Sequence, residues 1–260
     1  MPELPEIPTA SILLATPRIS LVLALLPFLS EQTVPPIIRR GIGMTLILMV
    51  FPVVHETVQA SDPAWSVVIG LLVKEAFIGL LLGFLAAIPF WLAVSMGSLI
   101  DMQRGAFSGA QFSPFVRDQT SLLGLFFSIF FAIIFMTEGG FLMLIDGIFQ
   151  SYSVWPVMSF IPELETQAYH YFVTRFSELL RWTLVLSAPL VIASFLIDLT
   201  MGLLNRFVPQ LPVFFLSLPI KSATALFILS VYIFNLAGFM DDQFELIPTR
   251  FIELRGVLDS

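Results

Sequence analysis

Six long apolar stretches dominate this chain, and Arg18 is the only charged residue within them. A membrane-spanning helix needs about 20 apolar residues. Helices and closed barrels are the structures that satisfy every backbone hydrogen bond in lipid. The pattern therefore predicts an all-α polytopic membrane protein. The stretches are Ala10–Leu29, Gly41–Val54, Ala76–Ile100, Thr120–Thr137, Trp182–Ile197 and Ser222–Met240.

The apolar stretches are not uniform enough for six clean crossings. The second and fifth fall well short of a full span, and proline interrupts several of them. A proline removes a backbone donor and kinks a helix. We therefore expect short kinked helices and helical hairpins that pack on protein over much of their surface. If the six segments alternate across the membrane, arginine and lysine are almost equally shared between the loops on its two sides. The positive-inside rule therefore gives no orientation. The prolines are Pro17, Pro27, Pro52, Pro89 and Pro189.

Composition excludes several classes of function. Charged residues make up 12% of the chain and mean hydropathy is +0.94, against about 25% charged in an average soluble domain. A net charge of −7 argues against nucleic acid, which requires a basic face. There is no cysteine, and His55 and His170 lack flanking metal ligands. We expect no enzyme, no cofactor, no metal site and, from the acidic MPELPEIPTA start, no cleaved signal peptide.

The segment between the third and fourth apolar stretches carries too many aromatic residues for an ordinary turn. Gly97–Asp118 reads GSLIDMQRGAFSGAQFSPFVRD. Three phenylalanines there have apolar surface to bury and no regular structure to hold them. This predicts a loop that fills a hole lined by protein. The phenylalanines are Phe107, Phe112 and Phe115, and they lie among Gly105, Gly109 and Pro114.

Two charged residues precede this loop. Asp101 and Arg104 are spaced i, i+3 and can pair across one helical turn. A charge at the bilayer centre costs about 2.5–3.5 kcal/mol on insertion scales. The pair is therefore expected either at the membrane interface or inside protein, and the spacing alone leaves both open.

A second polar run, 198–221, interrupts the apolar pattern. Asp198, Gly202 and Arg206 fall on one helical face, and Pro209 and Pro212 end the helix. Such a broken hairpin is compatible with a transporter's ion site. It is equally compatible with a hinge whose charges pair with neighbouring subunits.

A third feature is a row of small residues after Lys74 and Glu75. Gly79 and Gly83 follow Glu75 at i+4 and i+8, a spacing that permits close backbone approach. Ordinary helix packing and docking on another subunit both fit this face.

Three runs together resemble one family. KEAFIGLLLGFLAAIPFW, GSLIDMQRGAFSG and DLTMGLLNRFVPQLPVFFLSLPIKS, in that order and spacing, resemble the T-type (flagellar R-type) export-gate subunit of type III secretion systems, the SctT/FliR family. The run from Asp101 to Gly105 is more similar to the virulence injectisome branch than to the flagellar one. The resemblance covers nearly the whole chain.

The resemblance implies a place in an assembly. It implies a single-copy core subunit of the export apparatus in the bacterial inner membrane, multi-pass and within the basal body. With P/R-type and Q/S-type subunits it would form a right-handed helical export gate for unfolded secreted proteins. The switch-type (U-type) subunit and the needle or rod base would be further partners. Membrane lipid would surround it, and no nucleic acid is expected. Residues 1–181 would be the P-like part, 182–240 a Q-like hairpin and 241–260 a tail.

The resemblance also implies roles for individual residues. A loop at about 105–118 would plug the resting channel and swing aside for substrate, with Asp101, Gln103 and Arg104 as its hinge. The rival interpretations are an ion-coupled transporter using Asp198, Arg206 and Lys221, and a scaffold without a luminal role. The implied plug residues are Gly105, Phe107, Gly109, Phe112, Pro114 and Phe115. The implied subunit contacts are Lys74, Glu75, Gly79, Gly83, Asp198, Gly202, Arg206, Pro209, Gln210 and Lys221.

Overall fold

The computed structural model describes residues 9–30, 33–61, 63–106, 121–159, 166–210 and 212–258. Over these ranges every regular element is helical, which confirms the all-α expectation. A 3-10 turn at Pro27–Leu29 follows the first helix. The helices are α1 (Thr9–Leu25), α2 (Pro36–Ser61), α3 (Trp65–Arg104), α4 (Leu122–Thr137), α5 (Gly140–Val154), α6 (Thr166–Phe207) and α7 (Val213–Leu258).

The chain divides into two compact units. The first comprises Met1–Ile88, Gly139–Arg175 and Glu245–Ser260, and the second comprises Pro89–Glu138 and Phe176–Phe244. Three helices, α3, α6 and α7, each continue from one unit into the other. Residues that are distant in sequence therefore meet within each unit.

Helix length differs from the expectation. Short helices are found at α1, α4 and α5, but α3, α6 and α7 contain 40, 42 and 46 residues. Pro17, Pro52, Pro89 and Pro189 lie inside continuous helices, whereas Pro27 follows the end of α1. The polar residues that flank the apolar stretches are mostly good helix formers, so the helices continue beyond the apolar stretches.

Among the residues that the structure describes, four helices are long and apolar enough to cross a membrane, with a fifth crossing if α4 and α5 together form one broken span. About two thirds of the apolar window of α3 is buried inside the chain, against 17% for that of α2. The windows of α6 and α7 are also mostly exposed. We expected helices that are covered by protein over much of their surface, and within this chain α3 is covered in that way. The helices α2, α6 and α7 instead expose apolar faces, which suit contact with lipid or with other subunits.

Aromatic packing forms the core of the second unit. Phe90, Phe135 and Phe244 are buried and contact one another with ring centroids 5.1–5.2 Å apart. Phe127 and Phe131, one helical turn apart on α4, are also fully buried. These rings hold α4 against α3 and α7. They therefore fix the position of α4, the helix that follows residues 105–120, which we call the α3–α4 loop.

Candidate functional site

Asp101 lies in the last turn of α3 and its side chain is fully buried. One carboxylate oxygen accepts from Arg104 Nε at 2.8 Å, which confirms the expected i, i+3 pair and puts it inside protein. The other oxygen accepts from Ser121 Oγ at 2.7 Å and from the main-chain N–H of Leu123 at 2.9 Å. One carboxylate therefore joins the two ends of the α3–α4 loop. We call these four residues the Asp101 clamp.

Ser121 adds a second layer to this joint. It is the N-cap of α4, and its Oγ accepts from Gly124 N–H at 2.8 Å. An N-cap oxygen satisfies one of the four unpaired N–H groups at a helix start, while the Asp101 carboxylate satisfies another from outside the helix. A negative charge at this end also interacts favourably with the helix dipole.

Glycine brings the two helices close enough for these bonds. A methyl group placed on Gly97 would overlap the start of α4, 2.5 Å from the Leu123 carbonyl carbon and 2.6 Å from Gly124 Cα. Only a residue without a side chain permits this approach. Gly105 then ends α3 in the left-handed region at φ 78°, with its N–H bonded to the Met102 carbonyl.

Lys221 ties the same end of α3 to the α6–α7 hairpin. Its Nζ donates to the Gln103 carbonyl at 3.3 Å and pairs with Asp198 at 2.5 Å. The Gln103 carbonyl is one of the last four of α3, which have no partner within the helix. Lys221 therefore caps α3 at the point where the loop begins. The Lys221 side chain is 9% exposed and that of Asp198 is 41% exposed.

The far end of the α6–α7 hairpin is open. Proline ends α6 there as expected, because α6 stops at Phe207 and α7 begins after Pro212. Large apolar side chains surround this end, including Phe207 at 80% exposure. Four residues expected to contact other subunits lie here and are exposed: Gly202, Arg206, Pro209 and Gln210.

A buried ionic cluster occupies the first unit. Arg18 of α1 forms a two-point ion pair with Glu75 of α3, with N–O distances of 2.7 and 3.0 Å. Lys74 Nζ lies 2.7 Å from the same carboxylate. All three side chains are almost fully buried. Buried charges require such pairing, because desolvation of an isolated ion is very unfavourable.

The remaining donors of this cluster bind acceptors in the last turn of α5 and in the segment that follows it. Arg18 donates to Ser151 Oγ and to the Trp155 carbonyl, each at 3.0 Å, and its guanidinium lies 4.0 Å from the Tyr152 ring centroid. Lys74 donates to the carbonyls of Pro156, Val157 and Ser159 at 2.7–3.2 Å. The cluster therefore ties α1, α3 and the end of α5 together.

The glycine face after Glu75 packs on this chain's own α1. A methyl group on Gly79 would lie 2.7 Å from the Arg18 carbonyl oxygen, and one on Gly83 would lie 3.0 Å from Val22 Cα. The expected close backbone approach is confirmed. The face that sequence reasoning also assigned to another subunit is covered here from within the chain, as are Lys74 and Glu75.

The structure brings together only part of the expected site. It joins Asp101, Gln103 and Arg104 to Lys221 and Asp198 in the second unit. Gly105 is described, whereas Phe107, Gly109, Phe112, Pro114 and Phe115 lie outside the described residues. Sequence reasoning did not assign a role to Arg18, Ser121 or Ser151.

Two of these omissions had a signal in the sequence. Arg18 is the one charge within an apolar stretch, and an ionisable residue there calls for a buried partner. Ser121 immediately precedes a long apolar run, which is the pattern of an N-cap. Ser151 had none, because its role depends on the tertiary position of Arg18.

Comparison with known proteins gives a consistent result. The model of the family "Bacterial export proteins, family 1" matches residues 9–247. The Yop proteins translocation protein T of Yersinia pestis is 39% identical over 88% of each chain. The secretion system apparatus protein SsaT of Salmonella typhimurium is 34% identical over 80% of each chain.

A flagellar relative matches over a similar length at lower identity. The flagellar biosynthetic protein FliR of Bacillus subtilis is 28% identical over 82% of each chain. Identity is thus higher to the translocation and secretion-apparatus relatives than to this flagellar one. A family model that matches residues 9–247 of 260 covers almost the whole chain. The chain belongs to family 1 of the bacterial export proteins, in which it lies nearer to the virulence-type secretion proteins than to the flagellar ones.

Proposed function

We propose that this chain is a core component of the type III secretion export gate in the bacterial inner membrane, and that its α3–α4 loop closes the channel at rest. The relatives carry names of translocation, secretion-apparatus and flagellar biosynthetic proteins. The four long apolar helices fit a multi-pass membrane protein of that apparatus. The chain would line part of the path of unfolded secreted proteins.

The Asp101 clamp is the observation that carries the proposal for the loop. Asp101 holds the last turn of α3 and the first turn of α4 through one buried carboxylate. A loop that only connects two helices needs no such joint. A loop that must return to one position after substrate has passed does need fixed ends, because its closed position is defined by them.

The closing element would be apolar. Phe107, Phe112 and Phe115 follow Gly105 within the loop sequence, and hydrophobic constrictions close channels by excluding water. Gly105 is in the left-handed conformation at the end of α3 and would be the pivot at this end. The clamp would stay in place while the loop moves.

Assembly would use the surfaces that the chain leaves open. The exposed end of the α6–α7 hairpin carries Gly202, Arg206, Pro209 and Gln210 beside large apolar side chains. This composition suits contact with further membrane subunits of the P/R, Q/S and switch types. We expect purification of the chain with its neighbouring gene products to yield a complex of several small membrane proteins.

Polar replacement of the loop phenylalanines tests the closing role. In the assembled apparatus, the triple variant Phe107→Asn, Phe112→Asn, Phe115→Asn should make the inner membrane permeable to ions without secretion being switched on. The matched control, Phe→Leu at the same three positions, keeps the apolar character and should remain sealed. A scaffold without a luminal role would tolerate the asparagines with no leak, and that result would overturn the proposal.

An uptake experiment distinguishes the transporter alternative from the export-gate function. It requires solute uptake by the purified chain alone in liposomes, with Asp198 and Lys221 as coupling residues. In the structure these two form an ion pair with each other. We expect no uptake by the chain alone.

A further inference from the structure

An open groove runs along the α1–α2 hairpin. Ser11 Oγ lies 3.1 Å from His55 Nδ1, and Leu23 contacts the position of Gly43, so residue numbers rise along α1 as they fall along α2. The two helices are therefore antiparallel. The groove is open to solvent, and its lining includes Leu23, Arg39, Arg40, Gly43, Met44 and Ile47. We call it the basic groove.

Two adjacent guanidinium groups lie at one end of the basic groove. Arg39 is half-buried and Arg40 is exposed. Within the described part of the chain, neither side chain makes an ion pair or a hydrogen bond. The described groove lining contains no acidic side chain. The groove therefore combines two positive charges with apolar walls formed by Leu23, Met44 and Ile47.

The position of these arginines along α2 matches the edge of a bilayer. Arg39 and Arg40 lie near the start of α2, and the charge-free run Gly41–Val54 follows directly. Only 17% of the apolar window of α2 is buried inside the chain. Met44 and Leu48 are more than 60% exposed. If α2 crosses the bilayer with this face toward lipid, the arginines would lie at the level of the lipid phosphates.

We propose that the basic groove binds one anionic phospholipid, whose phosphate is held by Arg39 and Arg40. An arginine guanidinium recognises a phosphate through two parallel hydrogen bonds, which gives geometry as well as charge. One acyl chain would lie along Leu23, Met44 and Ile47. A soluble phosphate would leave those apolar walls uncovered. A zwitterionic lipid would bring its ammonium group to a site that already carries two positive charges.

Retention of lipid by the purified full-length chain tests this proposal. The chain, purified with its membrane partners from bacterial membranes, is examined by native mass spectrometry with phosphatidylglycerol and phosphatidylethanolamine as the probes. Wild type should retain phosphatidylglycerol in excess over its share of the membrane. Retention should fall by about fivefold for each arginine replaced by glutamine, since one basic residue near the surface contributes about 1 kcal/mol.

Arg181→Gln is the matched control. Arg181 is also exposed and also directly precedes an apolar run of a candidate span, but it does not line the basic groove. Its replacement should leave lipid retention unchanged. The variant Arg39→Lys, Arg40→Lys keeps the charge and should restore part of the retention, and an unchanged unfolding temperature shows that the variants fold.

Three results would overturn the proposal. Equal lipid retention in wild type and the double glutamine variant would show that Arg39 and Arg40 do not bind the lipid. An equal loss in Arg181→Gln would show attraction to any interfacial arginine rather than a site. Displacement of the lipid by glycerol phosphate at similar concentration would show a phosphate site without acyl recognition.

Discussion

The main-chain N–H of Leu123 donates to Asp101 Oδ2 at 2.9 Å, although the two residues lie 22 positions apart and on different helices. This bond, with that of Ser121 to the same oxygen, fixes the start of α4 to the end of α3. Lys221 fixes the end of α3 a second time through the Gln103 carbonyl. The loop that we propose as the plug therefore emerges from a rigid base.

Replacing Asp101 should weaken the contact between the end of α3 and the start of α4. Asp101→Ala leaves Arg104 and the first N–H groups of α4 without their partner, and removal of one member of a buried pair typically costs about 3–5 kcal/mol. Asp101→Asn keeps an acceptor oxygen but not the charge, so we expect a smaller loss of about 1–3 kcal/mol. Denaturation of the purified chain in detergent measures both.

Asp146→Asn controls for the loss of a carboxylate as such. Asp146 is exposed on α5 and accepts from Gln150 Nε2. Its replacement should change stability by less than about 0.5 kcal/mol, as is usual for exposed positions. Equal stability losses in Asp101→Asn and Asp146→Asn would contradict a structural role for the Asp101 clamp.

Gly97→Ala should separate α3 from α4. The added methyl group would overlap the backbone of Leu123 and Gly124, which cannot move aside without breaking the bonds to Asp101. We expect a loss of about 1–3 kcal/mol, as for overpacking elsewhere. At Gly238 of α7 nothing lies within 4 Å of an added methyl group, so Gly238→Ala should stabilise by up to about 1 kcal/mol. Stabilisation by both substitutions would refute the close approach.

The Arg18–Glu75 pair should behave as a coupled unit. Glu75→Leu alone leaves two buried cations, Arg18 and Lys74, without their carboxylate, for a loss of about 3–5 kcal/mol. Arg18→Met alone should cost less, because Glu75 keeps its ion pair with Lys74. The double variant should recover much of the loss in Glu75→Leu, because Lys74 keeps its three carbonyl acceptors. A double-mutant cycle in detergent measures the coupling, which we expect at about 1–3 kcal/mol. Strict additivity would mean that the two charges do not interact.

Lys221→Met should loosen the end of α3 specifically. Lys221 caps the Gln103 carbonyl, whereas Asp198 reaches this point only through Lys221 and is partly exposed. Hydrogen–deuterium exchange of the peptide around residues 101–106 should speed up in Lys221→Met. In Asp198→Asn the change should be smaller, because the bond to Gln103 can persist. Faster exchange in Asp198→Asn than in Lys221→Met would contradict this order.

Local patterns gave good predictions where the cause is local. The i, i+3 spacing of Asp101 and Arg104 predicts their pair, Pro209 and Pro212 predict the end of α6, and the Gly79–Gly83 spacing predicts a close helix contact. Each depends on helical geometry or on a residue's own backbone. Helix lengths were harder to predict, because polar residues that follow an apolar stretch can continue the same helix.

Tertiary partners could not be read from the sequence. Arg18 is 57 residues from Glu75 and 133 from Ser151, and no spacing rule connects them. The same holds for Lys221 and Gln103, which are 118 residues apart. Buried charges show that a partner must exist, but the fold decides which residue it is.

Removal of the loop is the most direct measurement of its closing role. Deleting Gly105–Pro114 leaves six residues between Arg104 and Ser121, enough for about 20 Å of extended chain. Because Asp101 holds both ends within hydrogen-bond reach, the shortened loop can still connect α3 and α4. In cells with the assembled apparatus, we predict that ions leak across the inner membrane at rest in this deletion and not in wild type. Unchanged ion permeability in an assembled deletion variant would contradict the account.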